Sequence, residues 1–139
     1  MEAESALLPL RVEAIACPPK LRGCADAIAE TLTRTTGRSV TVAPEGSIVL
    51  ALDDALAADA YALRIDDQVR IAGGSPHGVA LGAATVVQIA VAIHDRITLP
   101  CVSIEDAPEL PYRGVLLDVA RFRHDIALLR TVVALCWLN

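Results

Sequence analysis

Aromatic side chains are nearly missing from this chain: one Trp, two Tyr and one Phe, 3% of 139 residues. Their scarcity removes the stacking platforms that single-stranded nucleic acids require. It also argues against a free-standing carbohydrate-binding module, which would present Trp or Tyr faces. Lysine is rarer still, with Lys20 alone, and the net charge of −5 leaves no basic footprint for a phosphate backbone. Nucleic acid is therefore not an expected partner. Cys17, Cys24, Cys101 and Cys136 contain no CxxC pair, and His77, His94 and His124 stand apart from them in sequence. No metal and no other cofactor is expected, and the cysteines read as reduced, buried thiols acting as small apolar residues. The start, Met1-Glu2-Ala3-Glu4, is acidic where a secretory signal would be basic, and no adequate apolar region follows. As given, the chain reads as cytoplasmic; it would be periplasmic or secreted if a signal segment is missing from it. Internal repeats, low-complexity tracts and long linkers are absent.

Aliphatic residues take the place of aromatics. Hydrophobic residues make up 54% of the sequence, so its core must be built from Ala, Val, Leu and Ile. The length fits one domain with a modest extension. The segment from Ser75 to Ile93 carries no formal charge and approaches the ~20 residues of a membrane span. Within it Gly78-Val79-Ala80-Leu81-Gly82 matches the GxxxG pairing pattern. Ser75, Pro76, His77, Thr85 and Gln88 point instead to a capped helix buried between two layers, with Ser75 as cap and Pro76 in the first turn. No membrane association is expected.

Periodicity supplies the remaining elements. Leu10 to Ala16 alternates and stops at Pro18-Pro19, predicting one strand, followed by a helix from about Leu21 to Thr35 that Gly37 ends. Strands are expected over Ser39 to Ala43 and Ser47 to Leu52, separated by the turn Pro44-Glu45-Gly46. Ala60 to Ile65 and Val69 to Ala72 form a hairpin around Asp66-Asp67-Gln68, with Tyr61, Leu63 and Ile65 at period two. An extended stretch from Ile97 to Ile104 bends at Pro100. Grouped strands covered by helices describe an α+β fold in two layers.

The C-terminal region carries the most specific pattern. Val115 to Leu117 is a short apolar run closed by Asp118, as in a buried parallel strand, and His124-Asp125 offers an N-cap for a helix running through Trp137. Three strings stand in order: Ile104-Glu105-Asp106-Ala107-Pro108, Pro111-Tyr112-Arg113-Gly114 and Leu117-Asp118-Val119-Ala120-Arg121. Together they resemble the join between the N-terminal domain and the first barrel strand of family 20 glycoside hydrolases, the β-N-acetylhexosaminidases. Leu135-Cys136-Trp137-Leu138-Asn139 resembles the lead into that family's second barrel strand. The Tyr61 strand and the Gly73-Gly74-Ser75-Pro76 helix entry look like its N-terminal domain, in which the second helix packs towards the barrel. The resemblance runs from about Leu10 and is weaker before Asp59.

The resemblance implies a hexosaminidase-like α+β domain over 1–108, followed over 109–139 by the first strand and helix of an incomplete (β/α)8 barrel. In the family the sugar's own 2-acetamido oxygen attacks the anomeric carbon, assisted by an adjacent Asp-Glu pair on a later strand. Such a pair does not occur in the 139 residues. Asp53-Asp54, Asp66-Asp67 and Glu105-Asp106 are the adjacent acidic pairs, all in turn or linker contexts where a solvated carboxylate is the ordinary outcome. No catalytic residue is assigned. Arg113 occupies the position of the family's arginine that hydrogen-bonds sugar hydroxyls, a task suited to a planar guanidinium; a plain ion pair with Asp118 or Glu105 is the structural alternative. Asp118 and Arg121 read as scaffold. Where the family continues Ala-Arg with His-Phe, this chain has Arg121-Phe122-Arg123-His124, which makes His124 a surface residue.

The expectation is an N-terminal part of a β-N-acetylhexosaminidase, inactive alone, that meets an N-acetylhexosamine-containing glycan only when a barrel completes it. The alternative is a non-catalytic interaction module docking on a separately encoded barrel or another partner. Residues 113–139 are the expected contact for that partner or for a second copy.

Overall fold

The chain's structure is a computed structural model that describes residues 7–10, 12–93, 96–110 and 112–138. Met1 to Glu4, His94, Pro111 and Asn139, on which parts of the sequence reading fell, lie outside the described residues.

Nine strands and three α-helices follow in order among these residues: β1 Leu7–Leu10, β2 Ala14–Ala16, α1 Arg22–Thr36, β3 Thr41–Val42, β4 Ile48–Leu52, β5 Tyr61–Ile65, β6 Val69–Gly73, α2 Pro76–Ile89, β7 Val91–Ile93, β8 Arg96–Pro100, β9 Val102–Asp106 and α3 Ile126–Leu138. The larger sheet is mixed and has the order β3-β2-β4-β6-β5-β9. Pairing is parallel from β3 through β6 and antiparallel where β5 meets β6 and β9. A smaller sheet, β1-β8-β7, is antiparallel throughout. The fold is α+β.

The strand pattern decides which face of the larger sheet is covered. Register places Ile48, Val69 and Ile65 in one row and Leu50, Ile71 and Leu63 in the next, all buried. The alternate residues face outwards, with Arg64 and Arg70 exposed and Val49, Ala62 and Ala72 half-buried, as period two requires. α1 and α2 belong to the core cluster on the apolar face through Ala25, Ile28, Ala29 and Leu32, and through Val79, Ala83, Val86 and Val87. Those spacings of three and four residues place each set on one helical face. α1 ends where Gly37 turns left-handed at φ 70° and returns its N–H to Thr33 O at 2.8 Å.

α2 begins as its sequence predicts. Ser75 Oγ accepts from His77 N at 3.1 Å and Gly78 N at 3.3 Å, and donates to Ala58 O at 2.6 Å. Its Gly82 packs closely on the sheet and its Gly78 on the loop before β5: a Cβ on Gly82 would lie 2.7 Å from Ile71 Cγ2 and 2.9 Å from Tyr61 Cδ2, and one on Gly78 would meet Ala60 O. Those contacts account for the GxxxG spacing, and no helix among the described residues is long and apolar enough to cross a membrane.

Four expectations are corrected. Leu10 to Ala16 is not one strand; β1 ends at Leu10 and β2 begins at Ala14, and the two join different sheets. The strand expected at Val115 to Leu117 is not formed: 112–119 have no regular structure, and no described strand lies alongside to share a ladder. The smaller sheet has no counterpart in the two-layer reading. The cysteines are free, yet only Cys17 and Cys24 are half-buried, while Cys101 and Cys136 are exposed. Burial, then the nearby Cys17, raises the Cys24 thiol above its ordinary range.

The helix expected near the C-terminus is present, with Asp125 Oδ1 accepting from Leu128 N at 2.7 Å as its cap. No side chain of α3 is fully buried. Its last turn docks on α2: Trp137 Nε1 donates to Ala80 O at 2.9 Å, and Gln88 Nε2 donates to Leu138 O.

Candidate functional site

Two adjoining clefts open where β9 ends, of about 180 and 220 Å³. Leu81, Pro108, Arg113 and Trp137 line both. The first adds Tyr61, Thr85, Gln88 and Asp106; the second adds Asp59, His77, Tyr112 and Cys136. Several elements converge to deliver the polar side chains. β5 provides Tyr61, α2 provides Thr85, β9 ends on Asp106, and the irregular segment beyond provides Arg113.

Tyr61 is the fixed point of the first cleft, with 5% of its surface exposed. Its Oη lies 2.7 Å from Thr85 Oγ1 and donates to Asp106 Oδ2 at 3.4 Å. Burial pushes the phenol above its ordinary range; the Thr85 hydroxyl opposes that shift and the Asp106 charge adds to it. Asp106 Oδ1 accepts from Ala107 N at 2.8 Å, so both carboxylate oxygens are engaged. An indole edge, a guanidinium, a phenol and a carboxylate around a small cleft suit a ligand rich in hydroxyl groups. Asp59 and Asp106 line different clefts, so neither cleft pairs two carboxylates for acid–base chemistry.

The other acidic pairs are structural. Asp53 Oδ1 accepts from Ala55 N at 2.9 Å in a turn. Asp66 Oδ2 is 2.7 Å from Arg64 Nε and Asp66 Oδ1 is 2.7 Å from Arg70 Nη1, stapling the β5–β6 hairpin. A hydrogen bond from the neighbouring Asp67 carboxyl, then the Arg64 guanidinium, hold Asp66 well below the usual carboxylate range. Asp118 pairs with Arg121 at 3.3 Å and accepts from Ala120 N and Arg121 N, consistent with a local scaffold. His124 is half-buried, with Nε2 3.1 Å from Asp118 O. Among the described residues no group of His, Cys, Asp and Glu is arranged to hold a metal ion. The sequence places Glu105-Asp106 in a solvated context and Tyr61 at period two in a strand, without assigning either to a site; the signal for Tyr61 is a phenol on a strand, a group that needs a partner when buried.

Residues 5–107 match the sequence profile of glycosyl hydrolase family 20, domain 2. The chain belongs to glycosyl hydrolase family 20. A beta-hexosaminidase from Vibrio furnissii is 32% identical over 87 residues, which is 62% of this chain and 14% of that protein. A family 20 exo β-N-acetylglucosaminidase from Vibrio harveyi, solved in complex with N-acetylglucosamine, superposes with a TM-score of 0.81 at 24% identity, over 94% of this chain and 22% of that one. Another family 20 β-N-acetylglucosaminidase reaches a TM-score of 0.72 at 29% identity, covering 96% of this chain and 26% of that one. The chain thus spans about a seventh of the Vibrio furnissii enzyme and about a quarter of each solved relative. Within family 20, what it presents is domain 2 with the segment that leaves it.

Proposed function

We propose that this chain serves a β-N-acetylhexosaminidase, the activity that removes terminal N-acetylhexosamine, by supplying domain 2 over 1–108 and the first β/α unit of a catalytic barrel over 109–139. The match of residues 5–107 to domain 2 of the family carries the reading. Arg113 donates hydrogen bonds to sugar hydroxyls, and its placement on both clefts supports that role. The strand at Val115 to Leu117 forms when barrel neighbours satisfy its backbone groups on both sides.

The segment is built for such a partner. Among the residues whose side chains are described, every exposed large hydrophobic one falls between Leu110 and Leu135, and Leu116 is 96% exposed. Exposed apolar surface concentrated in one place marks an interaction face. The 139 residues hold no Asp-Glu dipeptide, so they do not complete the substrate-assisted reaction.

A chimera tests this reading: residues 1–139 replace the corresponding part of the Vibrio furnissii enzyme, and hydrolysis of a chromogenic N-acetylglucosaminide is measured. The chimera is expected to turn over, and Arg113→Ala to lose at least tenfold in kcat/KM, the effect of about 1.4 kcal/mol in transition-state binding. A folded, active chimera indifferent to Arg113→Ala would contradict the role given to Arg113.

A further inference from the structure

Tyr61 stands where the chain leaves the larger sheet. In the β5–β9 ladder it is the direct partner of Asp106, the last residue of β9. The match to domain 2 stops one residue later, at 107. Its ring is held against α2, where a Cβ on Gly82 would lie 2.9 Å from Tyr61 Cδ2. From that position Tyr61 Oη donates to Asp106 Oδ2 at 3.4 Å, while Asp106 Oδ1 accepts from Ala107 N at 2.8 Å. One carboxylate therefore ties the sheet to the first residue of the outgoing segment. Residues 112–119 are irregular, and Arg113 returns to line the cleft that Tyr61 and Asp106 also line.

Packing alone does not call for a hydroxyl here. A phenylalanine ring would fill the same space without the cost of taking a polar group out of water. We infer that Tyr61 is a positioning residue: by holding Asp106 it sets the direction in which residues 107–113 leave domain 2, and through them the place of Arg113. The consequence for sugar binding rests on the role proposed for Arg113; the clamp itself requires no sugar.

Hydrogen exchange of the 139-residue chain tests the clamp. In Tyr61→Phe the amides within 107–113 and the Arg113 Nε–H are expected to exchange about two- to tenfold faster, the factor for one net hydrogen bond. Amides of β6 and α1 keep their wild-type rates. Asp106→Ala loosens the same residues, and adding Tyr61→Phe to it produces no further change at 107–113, because the Tyr61–Asp106 bond is already gone there; the bond to Thr85 that Tyr61→Phe also removes lies on α2. Unchanged exchange at 107–113 in Tyr61→Phe overturns the inference. Uniform acceleration that includes β6 and α1 overturns it too, since it would make the hydroxyl a contributor to core stability only. The readout contains no sugar, so it is separable from the Arg113 measurement: local loosening together with an Arg113-indifferent chimera would uphold the clamp and defeat the sugar-binding role.

Discussion

Replacing Trp137 with alanine should release α3 while leaving domain 2 folded. α3 runs from Ile126 to Leu138 and has no fully buried side chain. Helices shorter than ~12–15 residues are marginal in isolation, so this one persists through docking. Trp137, the single tryptophan, is one of its docking side chains. It packs on the edge of the core cluster together with Leu138, and its Nε1 donates to Ala80 O at 2.9 Å. Half-burying an aromatic removes on the order of 100 Å² from water, worth about 2.5 kcal/mol at ~25 cal/mol per Å². The hydrogen bond adds about 1 kcal/mol. Trp137→Ala thus forfeits about 3.5 kcal/mol from a helix with no fully buried side chain. Trp137→Phe keeps most of the apolar contact and loses about 1 kcal/mol. Hydrogen exchange should show 126–138 unprotected in the alanine variant and partly protected in the phenylalanine variant. The urea midpoint of the remaining domain should stay put. If α3 keeps its protection in Trp137→Ala, or if the core loses the same free energy, the docking account is refuted.

Two further outcomes follow from the packing and the charges. Gly82→Val, which forces a branched side chain towards Ile71 and Tyr61, should lower unfolding free energy by about 1–3 kcal/mol in urea; an unchanged midpoint would mean that α2 can lift off the sheet at no cost. Asp66 has a depressed folded-state pKa, so its contribution is fully present above the unfolded value of ~3.9 and fades as pH falls further towards the folded value. Thermal melts from pH 5 down to pH 2 should therefore show a steeper acid loss in wild type than in Asp66→Asn, and parallel slopes would remove the hairpin staple from the account.

Local signals in the sequence carried far, and contacts between distant residues did not. Ser75-Pro76 and Gly37 marked helix ends because caps depend on adjacent residues, and Tyr61, Leu63 and Ile65 revealed their inward face because pleating has period two. The break between β1 and β2 is not legible, because alternation does not record a change of sheet. Val115 to Leu117 has a strand's composition, but a strand requires neighbours as well as propensity. Arg113 is legible through its surrounding string. Its convergence with Asp106, Tyr61 and Trp137 was not legible, since Tyr61 and Asp106 are brought together by the β5–β9 register and Trp137 reaches Ala80 across the docking of two helices.

The central claim is that these residues support a family 20 hexosaminidase without themselves supplying its catalytic pair. Steady-state hydrolysis of a chromogenic N-acetylglucosaminide by the purified 139-residue chain tests it most directly, with Arg113→Ala as control. The account predicts no turnover above buffer for either protein; sustained turnover by the chain that disappears in Arg113→Ala would contradict it.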